Sequence, residues 1–283
     1  MRKIPFSFEG VEFIWNRDNP VFSIAMNKMS FFAIGFERYI CQAVRDAEAL
    51  IKDPEVLAEA RAFREQEAIH SVAHRKHIKA LIARYPGLQG TLDKVIGSFD
   101  ELYKRESLKF HLGYVGGLES VFTPMFRMLI DHRDVLFEKG DARVASLFLW
   151  HFFEEIEHRS SGLIVYDEVV GSYLYRVRNY RHYMRHAKDM YAMMDAEFRE
   201  HVTDVPHSYY MMKSDVVLPL KSRLRSFFGI LAAQLPWHNP EHEALPDYYY
   251  EWGKRYQGGE DMTRIYGTRE AEPVHAEPEL VAA

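Results

Sequence analysis

Six side chains, Glu37, Glu67, His70, Glu119, Glu155 and His158, follow one another in an order that few folds can use. Glu67/His70 and Glu155/His158 are Glu-x-x-His pairs inside long runs with apolar residues at helical spacing. Residues three apart on a helix project to one side and can bind a common ion. Each pair is preceded by a helical run with a single inward carboxylate candidate, Glu37 before the first and Glu119 before the second. One Glu from each of two helices and one Glu-x-x-His from each of two others is the ligand set of di-iron and di-manganese carboxylate bundles. The expected fold is all-α: a ferritin-like four-helix bundle with additional C-terminal helices and a disordered tail.

Breaker residues divide the chain in keeping with this. Residues 1–28 read as an extended lead-in that packs across other elements, residues 29–172 as the dimetal bundle, 173–238 as C-terminal helices packed on it, and 239–283 as an irregular, partly disordered tail. Within the bundle the first helix stops at Lys52-Asp53-Pro54, and the second runs to about Arg84. Residues 88–100 form a connection with some helical character. A third helix, over 101–132, is weakened by Gly113, Gly116, Gly117 and Pro124, and a fourth spans 142–170.

Ligands at one height on an antiparallel pair must be about equally far from the turn that joins them. Glu37 lies 16 residues before Asp53 and Glu67 14 after it, a mismatch of only ~3 Å. Around Gly140 the offsets of Glu119 and Glu155 are 21 and 15, so the third helix must end early, near Asp131. The 49 residues from His70 to Glu119 suit a long crossover between two helix pairs.

A helix face carrying Glu and His is usually a solvated face, and Glu-x-x-His alone is weak evidence. Glu272/His275 repeats the spacing beside prolines, where no helix can form, and is a chance match. The four-part arrangement differs, because Phe36, Tyr39, Leu118, Phe122, Phe152 and Ile156 flank its carboxylates. A lone carboxylate among them would be costly, and coordination removes that cost. His151 stands at i relative to Glu155 (i+4) and His158 (i+7), within about 40° of one stripe, and is a candidate third imidazole ligand. His74, four residues after His70, is assigned to the outer shell that orients a ligand. Cys41, one turn after Glu37, reads better as a small buried hydrophobe than as a site residue.

The runs MSFFAIGFERYICQAVR, EQEAIHSVAHRKH, GLESVF and HFFEEIEHRS closely resemble a bacterial family usually described as predicted metal-dependent hydrolases, over about residues 15–200. The second half of the pattern is also similar to the His-x-x-x-Glu-x-x-His helix of the di-iron arylamine N-oxygenases, a ferritin-like group in which the extra histidine is an iron ligand. That likeness supports His151 as a ligand and does not carry the arylamine substrate across.

The expected cofactor is two metal ions, iron first, with manganese and zinc as alternatives; carboxylate and imidazole donors without a cysteine cluster argue against thiolate zinc or iron-sulfur chemistry. The first functional expectation is a di-iron oxidoreductase that activates O2 to oxidise an apolar or aromatic small molecule, served by an electron-donor protein. An imbalance in nitrogen ligands, with His151 on one side, modestly favours redox chemistry. The alternative is a metal-dependent hydrolase using a metal-bridging water, and a third is a non-catalytic metal-binding protein.

A net charge of -5 argues against nucleic acid as a partner. One cysteine, no signal-peptide pattern and no run of ~18 apolar residues give the cytoplasm as the expected location. The basic, aromatic stretch from Tyr173 to Arg185 and the amphipathic segment VVLPLKSRLRSFFGILAAQLPW bring peripheral membrane contact through 173–237 into consideration, alongside a homodimer.

Overall fold

The computed structural model describes residues 2–214 and 216–267. Glu272 and His275, with the rest of the expected disordered tail, lie outside them. Among the described residues there is no strand, as expected of an all-α chain.

The four helices that carry the pattern each begin at a side chain that accepts from a backbone N–H of its own first turn. Asn19 does so for α1 (Pro20–Ala47), Asp53 for α2 (Pro54–Arg84), Ser107 for α4 (Leu108–Asp131) and Asp141 for α6 (Ala142–Glu157). The Asn19-Pro20 pair moves the start of α1 well ahead of the expected position near residue 30, because a proline in the first turn loses no helical hydrogen bond.

The stretch expected to connect the two pairs is a helix in its own right, α3 (Leu88–Arg105). Its Leu88, Leu92, Val95, Phe99 and Leu102 are buried at alternating spacings of four and three, while Gly90 and Gly97 face open space. The expected fourth helix is broken at His158–Ser160, and α7 (Ser161–Val169) turns to lie along α4. This turn relies on Gly116, where an added Cβ would stand 3.1 Å from the carbonyl oxygen of Gly162.

Pro124 stays inside α4, which ends at Asp131 as the spacing required. A four-residue α5 (Arg133–Leu136) leads on to α6. Glu119 then lies 12 residues before the end of α4, and Glu155 13 residues after the start of α6. The two carboxylates therefore meet at one height.

Long helix α8 (Tyr173–His201) packs on α4, α3 and α1. It approaches α4 closely because Gly113 has no side chain where the Tyr183 hydroxyl sits, 2.5 Å from where a Cβ would be. Tyr183 is thereby fully buried and stacked on Tyr114, with ring centroids 5.0 Å apart. Short α9 (His207–Met211) precedes α10 (Leu220–Ala232), which lies on α4.

The segment expected to be irregular from residue 239 onward contains α11 (Asp247–Gln257). Its Tyr248 and Trp252 are buried, and Trp252 stacks on Phe153 at 4.2 Å. That correction follows from tertiary burial, which local Pro, Gly and Tyr composition does not reveal. No helix among the described residues is long and apolar enough to cross a membrane.

Before α1 the chain is an extended strap, as expected. Ile4, Phe6 and Phe8 are buried at every second residue, and so are Val11, Phe13 and Trp15. The parity changes at Gly10, whose φ of 70° is open to glycine at little cost. Each fully buried aromatic side chain contributes ~1.5–3 kcal/mol, which holds the strap across the bundle.

Candidate metal centre

All seven candidate ligands and His74 are brought to one place, each at most 5% exposed. Glu37 comes from α1, Glu67 and His70 from α2, Glu119 from α4, and His151 and Glu155 from α6, while His158 is the residue that caps α6. Two sets have ligand atoms within 4.8 Å of one another: Glu67, His70, Glu155 and His158, and Glu37, His74 and His151. Glu119 stands outside both sets yet interacts with Glu155 and Glu37.

Between the sets the His151 Nε2 atom is 2.7 Å from Glu155 Oε1 and 3.4 Å from Glu37 Oε1. His158 Nε2 lies 3.2 Å from Glu67 Oε1 and 3.8 Å from Glu155 Oε2. His70 Nδ1 is 3.6 Å from Glu155 Oε1 and 3.9 Å from Glu67 Oε1.

Buried polar atoms in folded proteins are normally paired. Here both carboxylate oxygens of Glu37, Glu67 and Glu119, one of Glu155, His70 Nδ1 and both ring nitrogens of His158 are buried without a hydrogen-bond partner. Burial drives the carboxyls of Glu37, Glu67 and Glu119 well above the ordinary carboxylate range, and their neighbouring carboxylates add to the effect on Glu67 and Glu119. Burial would also raise Glu155, but the charge of His158, a hydrogen bond from His151 and the close approach of His70 outweigh it and hold this carboxyl well below that range. Converging orphaned oxygens and nitrogens of this kind could hold cations, and two ions fit this donor set.

The surrounding shell is legible in the coordinates and was only partly legible in the sequence. Burial pulls the His70 imidazole down, but the hydrogen bond to Glu154 and the charges of Glu154 and Glu155 raise it to about 10. His70 Nε2 donates to Glu154 Oε2 at 2.9 Å, so Nδ1 is the atom turned to the centre. Glu154 is in turn held by Arg2 from the strap at 3.3 Å, and Arg2 also pairs with Glu157 at 2.6 Å. Sequence reasoning missed this, because Glu154 is one of three glutamates in HFFEEIEH and nothing local ties it to residue 2.

His151 Nδ1 lies 2.8 Å from His74 Nε2, His74 Nδ1 lies 2.9 Å from Ser30 Oγ, and Ser30 Oγ lies 3.1 Å from His77 Nδ1. The direction of the protons along this row is set by which ring nitrogen of His151 carries its proton, and a metal on Nε2 would make Nδ1–H the donor to His74. His74 therefore touches the centre through His151, although its ring is near enough to be grouped with Glu37. Cys41 Sγ donates to the Arg64 carbonyl at 3.3 Å on α2.

Carboxylate partners of ligating histidines typically change metal affinity by 10–100-fold. Replacing Glu154 with Gln should therefore weaken metal binding by roughly tenfold in competition with a chromogenic chelator, leaving stoichiometry at two. Unchanged affinity would show that the His70–Glu154 contact does not orient a ligand.

A cavity of about 270 Å³ opens onto the centre. Glu37, Glu67, Glu119, His151 and Glu155 form its polar end, and Phe32, Phe36, Leu118, Phe122, Phe126 and Tyr191 are among its apolar walls.

A family model described as "predicted metal-dependent hydrolase" matches residues 1–243. The chain belongs to this family. The match takes in the strap, every helix that supplies a candidate ligand, and α8 and α10. No curated protein and no solved structure matches the chain.

Proposed function

We propose that this family member is a dimetal hydrolase acting on a small molecule with an apolar body, with Glu37, Glu67, His70, Glu119, His151, Glu155 and His158 as the metal ligands. The observation that carries the proposal is the buried, unpartnered donor set at the polar end of an apolar cavity, in a chain whose family description is hydrolytic. The ions would supply Lewis acidity and lower the pKa of water into the neutral range.

The chain's own residues do the rest. The aromatic walls exclude water and bind the apolar part of the substrate, which turns its reactive group toward Glu37 and Glu119. Glu154 and His74 fix the orientation of His70 and His151, so the donors are held in place before substrate arrives.

A second reading, oxidation of the same class of molecule by O2 at two irons, is favoured by one specific observation. The set of four carboxylates and three imidazoles contains no thiolate and suits iron or manganese. Fold and ligand set do not by themselves fix the reaction.

One experiment separates the two. Protein loaded in turn with zinc, manganese and, anaerobically, ferrous iron is tested against p-nitrophenyl esters and phosphoesters of increasing acyl length, and for O2 uptake. Turnover of the longer apolar esters with zinc or manganese, abolished by Ala33→Phe in the cavity wall, is the expected result. Uptake of O2 with two electrons drawn per iron pair, and no ester cleavage with any metal, would replace hydrolysis with oxidation.

A further inference from the structure

Helix α10 meets the protein through its smallest residues. Ser226 is buried, and Gly229 lies so close to Pro124 of α4 that an added Cβ would stand 2.7 Å from the proline Cβ. Its large apolar residues point the other way. Leu220, Leu224, Phe227, Phe228 and Leu231 recur at spacings of three and four, and all are exposed, Phe228 at 60%. Val217 before the helix extends the stripe; beyond the helix Leu235 and Trp237 are exposed as well, the last at 75%, at the rim of the cavity between α10 and α4. Scattered exposed hydrophobes are normal, but a contiguous stripe of this kind marks an interaction surface.

The charge around the stripe says what covers it. No aspartate or glutamate occurs from Val216 to Asn239, although the whole chain carries a net charge of -5. Lys221 and Arg223 are exposed and flank the stripe on opposite sides, about 100° and about 60° from Leu220 around the helix axis. Arg225 sits further toward the protein and pairs with Asp131 at 3.8 Å. An apolar stripe bordered by basic residues and ended by an exposed tryptophan has the design of a helix that lies in a lipid interface. A two-fold contact with a second copy would instead bring Lys221 and Arg223 against the same basic border.

We infer that α10 and its flanks, from Val217 to Trp237, dock the protein on the surface of an anionic lipid bilayer. Phe227, Phe228, Leu231 and Trp237 enter the interface, and Lys221 and Arg223 meet lipid phosphates. This inference does not rest on the reaction assigned to the metal centre.

The full-length protein is co-sedimented with vesicles of phosphatidylcholine alone and with vesicles containing about 30% phosphatidylglycerol. Binding to the anionic vesicles should exceed binding to the neutral ones by roughly tenfold and should weaken with added salt. The pair Phe227→Ser with Phe228→Ser, and separately the pair Lys221→Glu with Arg223→Glu, should each reduce vesicle binding by roughly tenfold. Because these side chains are exposed, the melting temperature should not move. Trp237→Phe should abolish the blue shift of tryptophan emission on binding. Equal binding by wild type and both double variants would overturn the inference. So would a dimer in light scattering that the Phe227/Phe228 variant converts to monomer while no form binds vesicles, which would give the face to a second copy.

Discussion

Replacement of Glu119 by alanine should reduce metal content from two ions per chain to one or fewer, measured by elemental analysis after equilibration with excess metal. Glu119 is 2% exposed, and neither of its oxygens has a hydrogen-bond partner. Its position beside Glu155 and Glu37 makes it the carboxylate that joins the two tight sets of donors. The Cβ and Cγ of Glu119 lie against Gly162, where an added Cβ would stand 3.0 Å from Cγ. The side chain is thus confined to the direction of the centre. Alanine is the better helix former and removes a buried carboxyl that has no protein partner. The metal-free variant should accordingly melt no lower than the metal-free parent, which separates lost binding from lost folding. Two ions still bound at unchanged affinity would remove Glu119 from the ligand set.

The second large effect is on pH dependence. With metal stripped by a chelator, burial keeps the carboxyls of Glu37, Glu67 and Glu119 protonated well above the usual carboxylate range, and His70 keeps its proton to about 10. Ligands must lose these protons to bind metal, so loading at pH 7 should release protons, that of His70 among them. Metal affinity should rise with pH over the same window. Calorimetric titration in buffers of differing ionisation enthalpy reads the proton count directly. Affinity that is flat or falls as pH rises would contradict the assignment.

Stability carries the same sign. A carboxyl whose folded pKa is raised, like a histidine raised to about 10, contributes stability that is lost as pH climbs toward the folded value. Burial lowers His74, His151 and His158, and their contribution is present above the unfolded imidazole value and lost on acidification. Between pH 7 and 9 the lowered histidines are neutral in both states, and His70 sets the direction of the change. The melting temperature of the stripped protein should fall across that interval, while that of the loaded protein should stay level.

Much of the architecture was legible because helical spacing is a strong signal when breakers frame it. Glu37, Glu67, His70, Glu155 and His158 could be placed on facing helices from turn distances alone, and the required end of α4 near Asp131 is where the helix stops. What escaped was decided by contacts distant in sequence. Residues 88–100 read as a connection with some helical character, yet Gly90 and Gly97 face open space while Leu92, Val95 and Phe99 hold α3 in place. Helix α11 is fixed by the stacking of Trp252 on Phe153, nearly one hundred positions away. The break at His158–Ser160 follows from the meeting of Gly116 with Gly162. Glu154 looked like one more glutamate until Arg2 and His70 were found on either side of it.

The link from Arg2 through Glu154 to His70 also bears on how the protein can be handled and made. Arg2 in the strap completes the surroundings of a histidine on α2, and it does so through a helix that emerges some 150 residues later. The centre is therefore finished only after α6 has left the ribosome and the strap has been laid over it. Metal affinity would accordingly report that the strap has docked.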